Sequence, residues 1–157
     1  MIFTTKAEYG VRLLVELGRQ GRDAPVSLKA ISEAEGLPLA YLERIVALLK
    51  KSALVESTRG AHGGYRLARA PEDIRMDEAI LALEGAVAPM TCFVDDRGES
   101  GHSVLCSHEA DHGHGCATKL LWTRVQGGVF KALQQTTLAD LVAFSTKTTP
   151  TEELLNA

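Results

Sequence analysis

The sequence predicts a mainly α-helical protein with one small β-hairpin, and three observations support this. Two short helical patterns meet at a tight turn around Gly36. A glycine-rich hairpin pattern follows them directly, and a long apolar helical pattern lies nearer the C-terminus. Helix, tight turn, helix and hairpin in this order predict a winged helix-turn-helix, followed by a long helix that serves dimerisation.

Length and composition are those of a globular protein. The chain has 157 residues, of which 45% are hydrophobic and 24% charged. It has no run of 18 apolar residues, so we expect no membrane-spanning helix and no membrane partner. The first residues lack the apolar segment of a signal peptide, which favours a cytoplasmic location.

Charge is distributed unevenly along the chain. Residues 1–70 contain 11 Lys and Arg against 7 Asp and Glu, a balance of +4. Residues 71–157 contain 6 against 13, a balance of −7, so the net charge of −3 conceals a basic first part. This asymmetry is typical of an anion-binding region joined to a region with another role.

The first helix is predicted to begin at Thr4 or Thr5, to extend to about Arg19 and to end at Gly21. Its apolar face consists of Val11, Leu14, Leu17 and Gly18.

A second and a third helix follow. Ser27 is a good N-cap for a short helix over 28–35, with Gly36 after its end. Pro38 fits the first turn of a third helix that extends to about Lys51.

The third helix has two different faces. Four residues follow helical spacing and are predicted to be buried: Leu42, Ile45, Val46 and Leu49. The opposite face carries Ala40, Arg44, Ala47 and Lys51, flanked by Tyr41 and Glu43. Small and cationic residues suit a helix that enters the major groove of DNA. Arg can donate two hydrogen bonds to guanine, whereas Glu accepts from cytosine.

The hairpin is predicted from strands over 54–57 and 65–68, joined by a turn over 59–64. Gly63 and Gly64 would let the backbone of the tip approach another surface closely, and Arg59 and Arg66 would bring positive charge to it. We interpret this hairpin as a wing that contacts DNA. The alternative is a plain hairpin that closes the domain.

The second half is predicted to contain a helix over 74–84 ending at Gly85, a loop over 86–115, a long helix over 117–135 and a short helix from the cap Thr137 to Phe144. The long helix has a wide apolar stripe, which includes Leu121 and Val125, and needs a partner such as a twofold mate. The expected organisation is a DNA-binding domain (1–72), a connecting helix (73–91), a cysteine- and histidine-rich loop (92–116), a dimerisation region (117–145) and a disordered tail (146–157).

Cys92, Cys106 and Cys116 enclose a segment that also contains four of the five histidines, His108 among them. An odd number of cysteines argues against a disulfide framework. The spacings of 13 and 9 residues are not those of a zinc knuckle. Three thiolates and one further ligand can hold an iron–sulfur cluster, while zinc, thiol oxidation or a vestigial site remain alternatives.

Several motifs together resemble the Rrf-type family of bacterial winged-helix regulators, which includes the iron–sulfur cluster regulator IscR. They are the opening TKAEYGVR at 5–12, LPLAYLE at 37–43, RGAHGGYRL at 59–67, the cysteine-bearing loop and TLADLV at 137–142. The resemblance implies a homodimer on a palindromic DNA operator. By similarity, Tyr41, Glu43 and Arg44 of the third helix would face bases or the neighbouring backbone, and Arg59 of the wing would reach the minor groove. We also expect DNA contacts from His62, Gly63 and Gly64 of the wing, and phosphate contacts from Lys50 and Lys51. The alternative for the two lysines is a solvated helix end that interacts with the helix dipole.

The resemblance leaves the fourth cluster ligand open. Well-known members place a histidine three residues after the last cysteine, where this chain has Lys119. Other members use an acidic residue in the first helix of the partner subunit, and Glu8 occupies that position here. The alternatives are His108 as the ligand, and a simple ion pair between Glu8 and Arg12.

The expected function is therefore that of a dimeric DNA-binding regulator, a repressor. An iron–sulfur cluster, [2Fe-2S] or [4Fe-4S], would set its operator affinity according to redox, iron or nitric oxide status. The alternative within the same fold is sensing through cysteine oxidation or zinc. An enzyme is disfavoured because the cysteines and most histidines lie in one segment without an identifiable rigid scaffold. A winged helix that binds only proteins is the third class.

Overall fold

Helix α1 comprises Thr5–Gln20 in the computed structural model, which describes residues 3–21, 23–60, 62–87 and 117–146. Thr4 caps the helix, because its side-chain oxygen accepts a hydrogen bond from the backbone N–H of Lys6 at 3.2 Å. Gly21 follows the helix with a φ of 77°, a conformation that favours glycine. The predicted cap and end of this helix are both confirmed.

Helices α2 (Leu28–Glu35) and α3 (Leu39–Lys51) form the predicted helix-turn-helix. Ser27 caps α2 through a 3.1 Å hydrogen bond from the N–H of Ala30, and Gly36 adopts the left-handed conformation. Pro38 lies one residue before α3 rather than in its first turn, since its ψ of 122° is extended.

The hairpin pairs β1 (Val55–Thr58) with β2 (Gly64–Leu67) in antiparallel register. Each strand lies one residue nearer the tip than predicted. The reason is that Leu54 belongs to the turn after α3, where its N–H donates to the carbonyl of Leu49 at 3.0 Å. Tyr65 also pairs with Val26 through two 2.8 Å hydrogen bonds, so the segment before α2 extends the sheet by one bridge.

A 3-10 helix (Pro71–Asp73) leads to α4 (Met76–Glu84). The helix predicted from residue 74 begins two residues later because Ile74 and Arg75 are extended. The carbonyl of Ile74 accepts from the N–H of Leu138 at 2.8 Å, so this short stretch is held by the C-terminal part of the chain.

Helices α5 (Ala117–Gln135) and α6 (Leu138–Ser145) complete the described structure. Thr137 and Asp140 form a capping box at the start of α6. Hydrogen bonds from the backbone N–H and the hydroxyl of Thr137 lower the pKa of Asp140, so the carboxylate form that caps the helix is favoured. The cap is present above the ordinary pKa of an aspartate and is lost as the pH falls through the lowered value.

Most buried apolar side chains form one core under α3 and the hairpin. It joins α1 to α3, α4 and α6, and its members include Leu13, Leu17, Ile45, Leu49, Leu67, Ile74, Leu83 and Leu138. A second cluster of Ala7, Ile80 and Val87 receives Val129 and Phe130 from the second half of α5. The described part of the chain is therefore held together by contacts between its first and last helices.

The predicted cysteine loop over 92–116 and the tail beyond Thr146 lie outside the described residues. None of the helices that the structure describes is both long and apolar enough to cross a membrane.

We predict that Gly64→Ala destabilises the hairpin. A Cβ at Gly64 would lie 2.5 Å from the carbonyl oxygen of Val26, and the backbone cannot retreat without breaking the bonds between Val26 and Tyr65. Overpacking of this kind lowers the free energy of unfolding by about 1–3 kcal/mol, measurable by urea denaturation. His62→Ala, an exposed change near the same tip, should stay within about 0.5 kcal/mol, and equal effects of the two changes would contradict this account.

Candidate nucleic-acid interface

Helix α3 separates its two faces as the sequence predicts. Leu42, Ile45, Val46 and Leu49 are buried in the core. Glu43, Arg44 and Lys51 are exposed, together with the small residues Ala40 and Ala47. The exposed face therefore carries charged side chains between residues too small to obstruct a close approach.

Most cations in residues 3–75 are neutralised within the fold. In this part of the chain, which lacks a description only of residues 22 and 61, seven cations have a carboxylate partner: Lys6, Arg12, Arg19, Lys29, Arg66, Arg69 and Arg75. These side chains contribute little to the external field of the protein.

Four other cations of the same ranges have no carboxylate partner there: Arg44, Lys50, Lys51 and Arg59. All of them belong to α3 or to the turn after β1, and we call them the basic patch. The ammonium of Lys50 donates to the hydroxyl of Ser57 at 2.6 Å, which ties the end of α3 to β1. Glu43 is the single carboxylate of α3, so the patch keeps a net positive charge.

The wing carries less free charge than its sequence suggests. Arg66 faces Glu56 across the hairpin, and its Nε lies 2.6 Å from the carboxylate. Arg59 and His62 are exposed at the turn. Of the two arginines expected to make the wing positive, only Arg59 is therefore available to an anion.

The wing glycines have an internal role. A Cβ at Gly63 would lie 2.4 Å from the carbonyl oxygen of Thr58, and one at Gly64 would collide with Val26. These two glycines are required by the approach of the hairpin to its own backbone and to the segment before α2. Their predicted contact with DNA stays a prediction.

Tyr41 occupies a different environment from its neighbours on α3. It is half-buried, and its ring meets that of Tyr9 from α1 edge to face, with 5.6 Å between the ring centroids. Beside the pair is a shallow groove lined by Thr5, Tyr9, Pro38, Ala40, Tyr41 and Arg44. Sequence reasoning did not single out Thr5 and Tyr9 as functional residues. Their spacing of four residues places them on one face of α1, but only the packing of α1 on α3 shows which face that is.

Glu8 does not form the ion pair with Arg12 that was the alternative to a ligand role. The guanidinium of Arg12 instead binds Glu35 at the end of α2, through its carboxylate at 2.9 Å and its carbonyl at 2.6 Å. Glu8 is exposed in the first turn of α1, and its carboxylate makes no ion pair with any residue in the described ranges.

The candidate cluster ligands Cys92, Cys106, Cys116 and His108 lie outside the described residues. Cys116 directly precedes Ala117, the first residue of α5. Within the four described ranges, no group of three or more His, Cys, Asp or Glu side chains is arranged to hold a metal ion.

Comparison with known proteins decides the family. Over residues 3–144 the chain matches the family described as Rrf2, iron-dependent transcriptional regulator. The chain belongs to the Rrf2 family. The protein rrf2 of Nitratidesulfovibrio vulgaris is 34% identical over 142 residues, which cover 90% of this chain and 87% of that protein.

Solved Rrf2-family structures share this fold. The structure of CymR, the global cysteine regulator of Bacillus subtilis, has a TM-score of 0.72 and 32% identity, covering 92% of this chain and 98% of its own. The structure of T. potens IscR has a TM-score of 0.71 and 31% identity, covering 98% and 96%. The family is described as transcriptional regulators, and its relatives CymR of Bacillus subtilis and IscR of Erwinia tasmaniensis are named HTH-type transcriptional regulators, so this Rrf2-family chain is a DNA-binding regulator and not an enzyme.

Proposed function

We propose that this chain is a homodimeric repressor that binds a palindromic operator through the basic patch and whose affinity is set by an iron–sulfur cluster. The observation that carries the DNA-binding part is the position of the unpaired cations. In the described ranges of residues 3–75, every Lys or Arg without a carboxylate partner lies on α3 or the wing. Such a surface attracts the phosphate backbone without first breaking an ion pair.

The residues of the patch take different roles. Arg44 and Glu43 are exposed in the first two turns of α3, where side chains of a recognition helix reach base edges. Lys50 and Lys51, at the opposite end of the helix, suit phosphates, which orient the protein without reading sequence. Arg59 on the wing would enter the minor groove, with Tyr41, His62, Gly63 and Gly64 at the edges of the interface.

Dimerisation is supported by the first half of α5. Leu120 and Leu121 are 60% and 54% exposed, although Val129 and Phe130 of the same helix pack on α1 and α4. Two adjacent exposed leucines on a helix favour burial against a partner, and a second copy is the commonest partner.

The donor set supports an iron–sulfur cluster as the sensing group. Cys92, Cys106 and Cys116 supply three thiolates, and the family is described as iron-dependent. When bound, the cluster would supply a centre whose stability depends on oxidation state, iron supply and nitric oxide. The chain's own contribution is to hold the loop at the start of α5, because Cys116 is joined directly to that helix.

The fold disfavours Glu8 of the same subunit as the fourth ligand, because it lies far from Cys116, and this leaves the partner subunit's Glu8 as the acidic candidate that the resemblance implies. Ala7 belongs to the cluster in which Val129 and Phe130 pack, so the first turns of α1 lie beside the second half of α5. Cys116 precedes Val129 by 13 residues, which corresponds to about 20 Å along a helix. His108 remains the alternative ligand.

The second candidate is sensing through cysteine oxidation or zinc without a cluster. Sensing by oxidation is favoured by the similarity to Staphylococcus aureus CymR, 32% identical, of which one solved structure is described as an oxidised form.

Leu121→Glu should convert the dimer to a monomer, since a charge in an apolar helix seam is costly to bury. Sedimentation velocity measures the change. Gln134→Glu adds the same charge at an exposed position in the second half of the same helix, away from the two leucines, and should leave the dimer intact. A dimeric Leu121→Glu protein would contradict the proposed seam.

Replacing Arg44 and Arg59 with alanine should weaken operator binding at least about 30-fold, because each of these arginines is expected to contribute about 1–3 kcal/mol. The slope of log affinity against log salt concentration should also become shallower by about 1 for each phosphate that the variant no longer neutralises. The matched control is Arg19→Ala with Lys29→Ala, which removes two charges that the fold already pairs. Unchanged affinity in the first variant would end the DNA-binding proposal.

Protein purified without oxygen should be coloured and should contain iron and acid-labile sulfide. Cys106→Ala should abolish the visible absorbance and change operator affinity about tenfold or more, which corresponds to about 1.4 kcal/mol. Ser107→Ala in the same segment is the control and should do neither. Colourless protein with bound zinc, or with an oxidised thiol, would favour the second candidate.

The fourth ligand is tested by comparing Glu8→Gln with His108→Ala. The variant whose visible absorbance is less stable identifies the ligand.

A further inference from the structure

The groove between the first turns of α1 and α3 contains two residues, Thr5 and Tyr9, that are not among the DNA contacts predicted from the sequence. Its lining combines Thr5 and Tyr9 of α1 with residues from 38 to 44. Ala40 and Arg44 belong both to this lining and to the exposed face of α3, so the groove continues that face toward α1.

The chemistry of the lining suits a phosphodiester. It offers the hydroxyls of Thr5, Tyr9 and Tyr41 and the guanidinium of Arg44, and no carboxylate. None of these three hydroxyls makes a hydrogen bond to another residue in the described ranges, so all three are available as donors. Pro38 and Ala40 give the groove an apolar part, which suits a deoxyribose ring next to a phosphate.

We propose that this groove holds one phosphodiester of the operator backbone, with Thr5 and Tyr9 donating hydrogen bonds to its oxygens. This inference rests on the proposed binding of DNA by α3. A recognition helix in the major groove is flanked by the phosphate backbone, and hydroxyl side chains near the helix commonly contact these phosphates and fix the register of the protein. The first turns of α1 lie beside the N-terminal end of α3, the end from which bases are read.

The contact between the tyrosine rings makes this site rigid before DNA arrives. The ring of Tyr9 meets that of Tyr41 at an interplanar angle of 85°, so each ring limits the rotation of the other. A hydroxyl held in this way needs less ordering when it binds a phosphate oxygen, which increases its contribution to affinity. Tyr9 and Thr5 therefore add affinity and register, and they contact no base.

The test combines conservative variants with neutral phosphates. Tyr9→Phe keeps the ring and Thr5→Val keeps the volume, but each removes a hydroxyl. The DNA is a set of operator duplexes, each with one phosphate of the half-site replaced by a neutral methylphosphonate. In the wild-type protein, neutralising the phosphate held in the groove should weaken binding roughly tenfold, the effect of losing hydrogen bonds to a charged group, and so should neutralising a phosphate bound by Lys50 or Lys51. The double variant should bind the unmodified operator about tenfold more weakly, and neutralising the phosphate held in the groove should then cause little further loss.

The outcomes separate this inference from the proposed function. Thr123→Val, on the exposed surface of α5, is the control and should keep the wild-type response at every phosphate. The groove does not hold a phosphate if every methylphosphonate weakens binding of the double variant as much as it weakens binding of the wild-type protein. The same conclusion follows if the effect of the double variant depends instead on a base, tested by replacing a thymine of the operator with uracil. If Arg44→Ala with Arg59→Ala abolishes operator binding while Thr5 and Tyr9 show no coupling, only the groove assignment is overturned. If wild-type protein binds no operator, both proposals fail.

Discussion

The close packing of α1 between α4 and α6 is the constraint on which the rest of the fold depends. A Cβ at Gly10 would lie 2.4 Å from a methyl of Leu83, and one at Gly18 would lie 2.6 Å from a methyl of Val142. No larger residue fits either position without displacing a neighbour. These two glycines therefore let helices from the second half of the chain pack directly on the first helix.

The same helix contacts the parts of the protein that must act together. Arg12 binds the end of α2, Tyr9 contacts Tyr41 on α3, and Ala7 shares a cluster with Val129 of α5. Protein interiors are densely packed, so α5 cannot shift without either meeting resistance from α1 or moving α1 with it. A signal that starts at the beginning of α5 consequently has a physical route to α3, the helix that we propose reads DNA, as the proposed regulation requires.

The charge of the exposed surface of the DNA-binding region depends on which cations form ion pairs, and less on the number of cations in the sequence. The balance of +4 in residues 1–70 is modest, and most of its cations are matched by nearby carboxylates. Among the cations that the structure describes in this part of the chain, those without a carboxylate partner lie on α3 and the wing, where Arg44 and Arg59 are exposed. A nearly neutral surface with one local positive region favours binding of DNA in one orientation.

Local sequence patterns were sufficient to predict the local structure of this protein. Helix caps, the ends at Gly21 and Gly85, and the buried face of α3 were predicted because each depends on residues within about one or two turns. Four other features could not be predicted in this way: the late start of α4, the partner of Arg12, the neutralisation of Arg66 and the internal role of Gly64. These features arise from contacts between segments that are distant in the sequence, and a local sequence pattern does not predict which segments will be in contact.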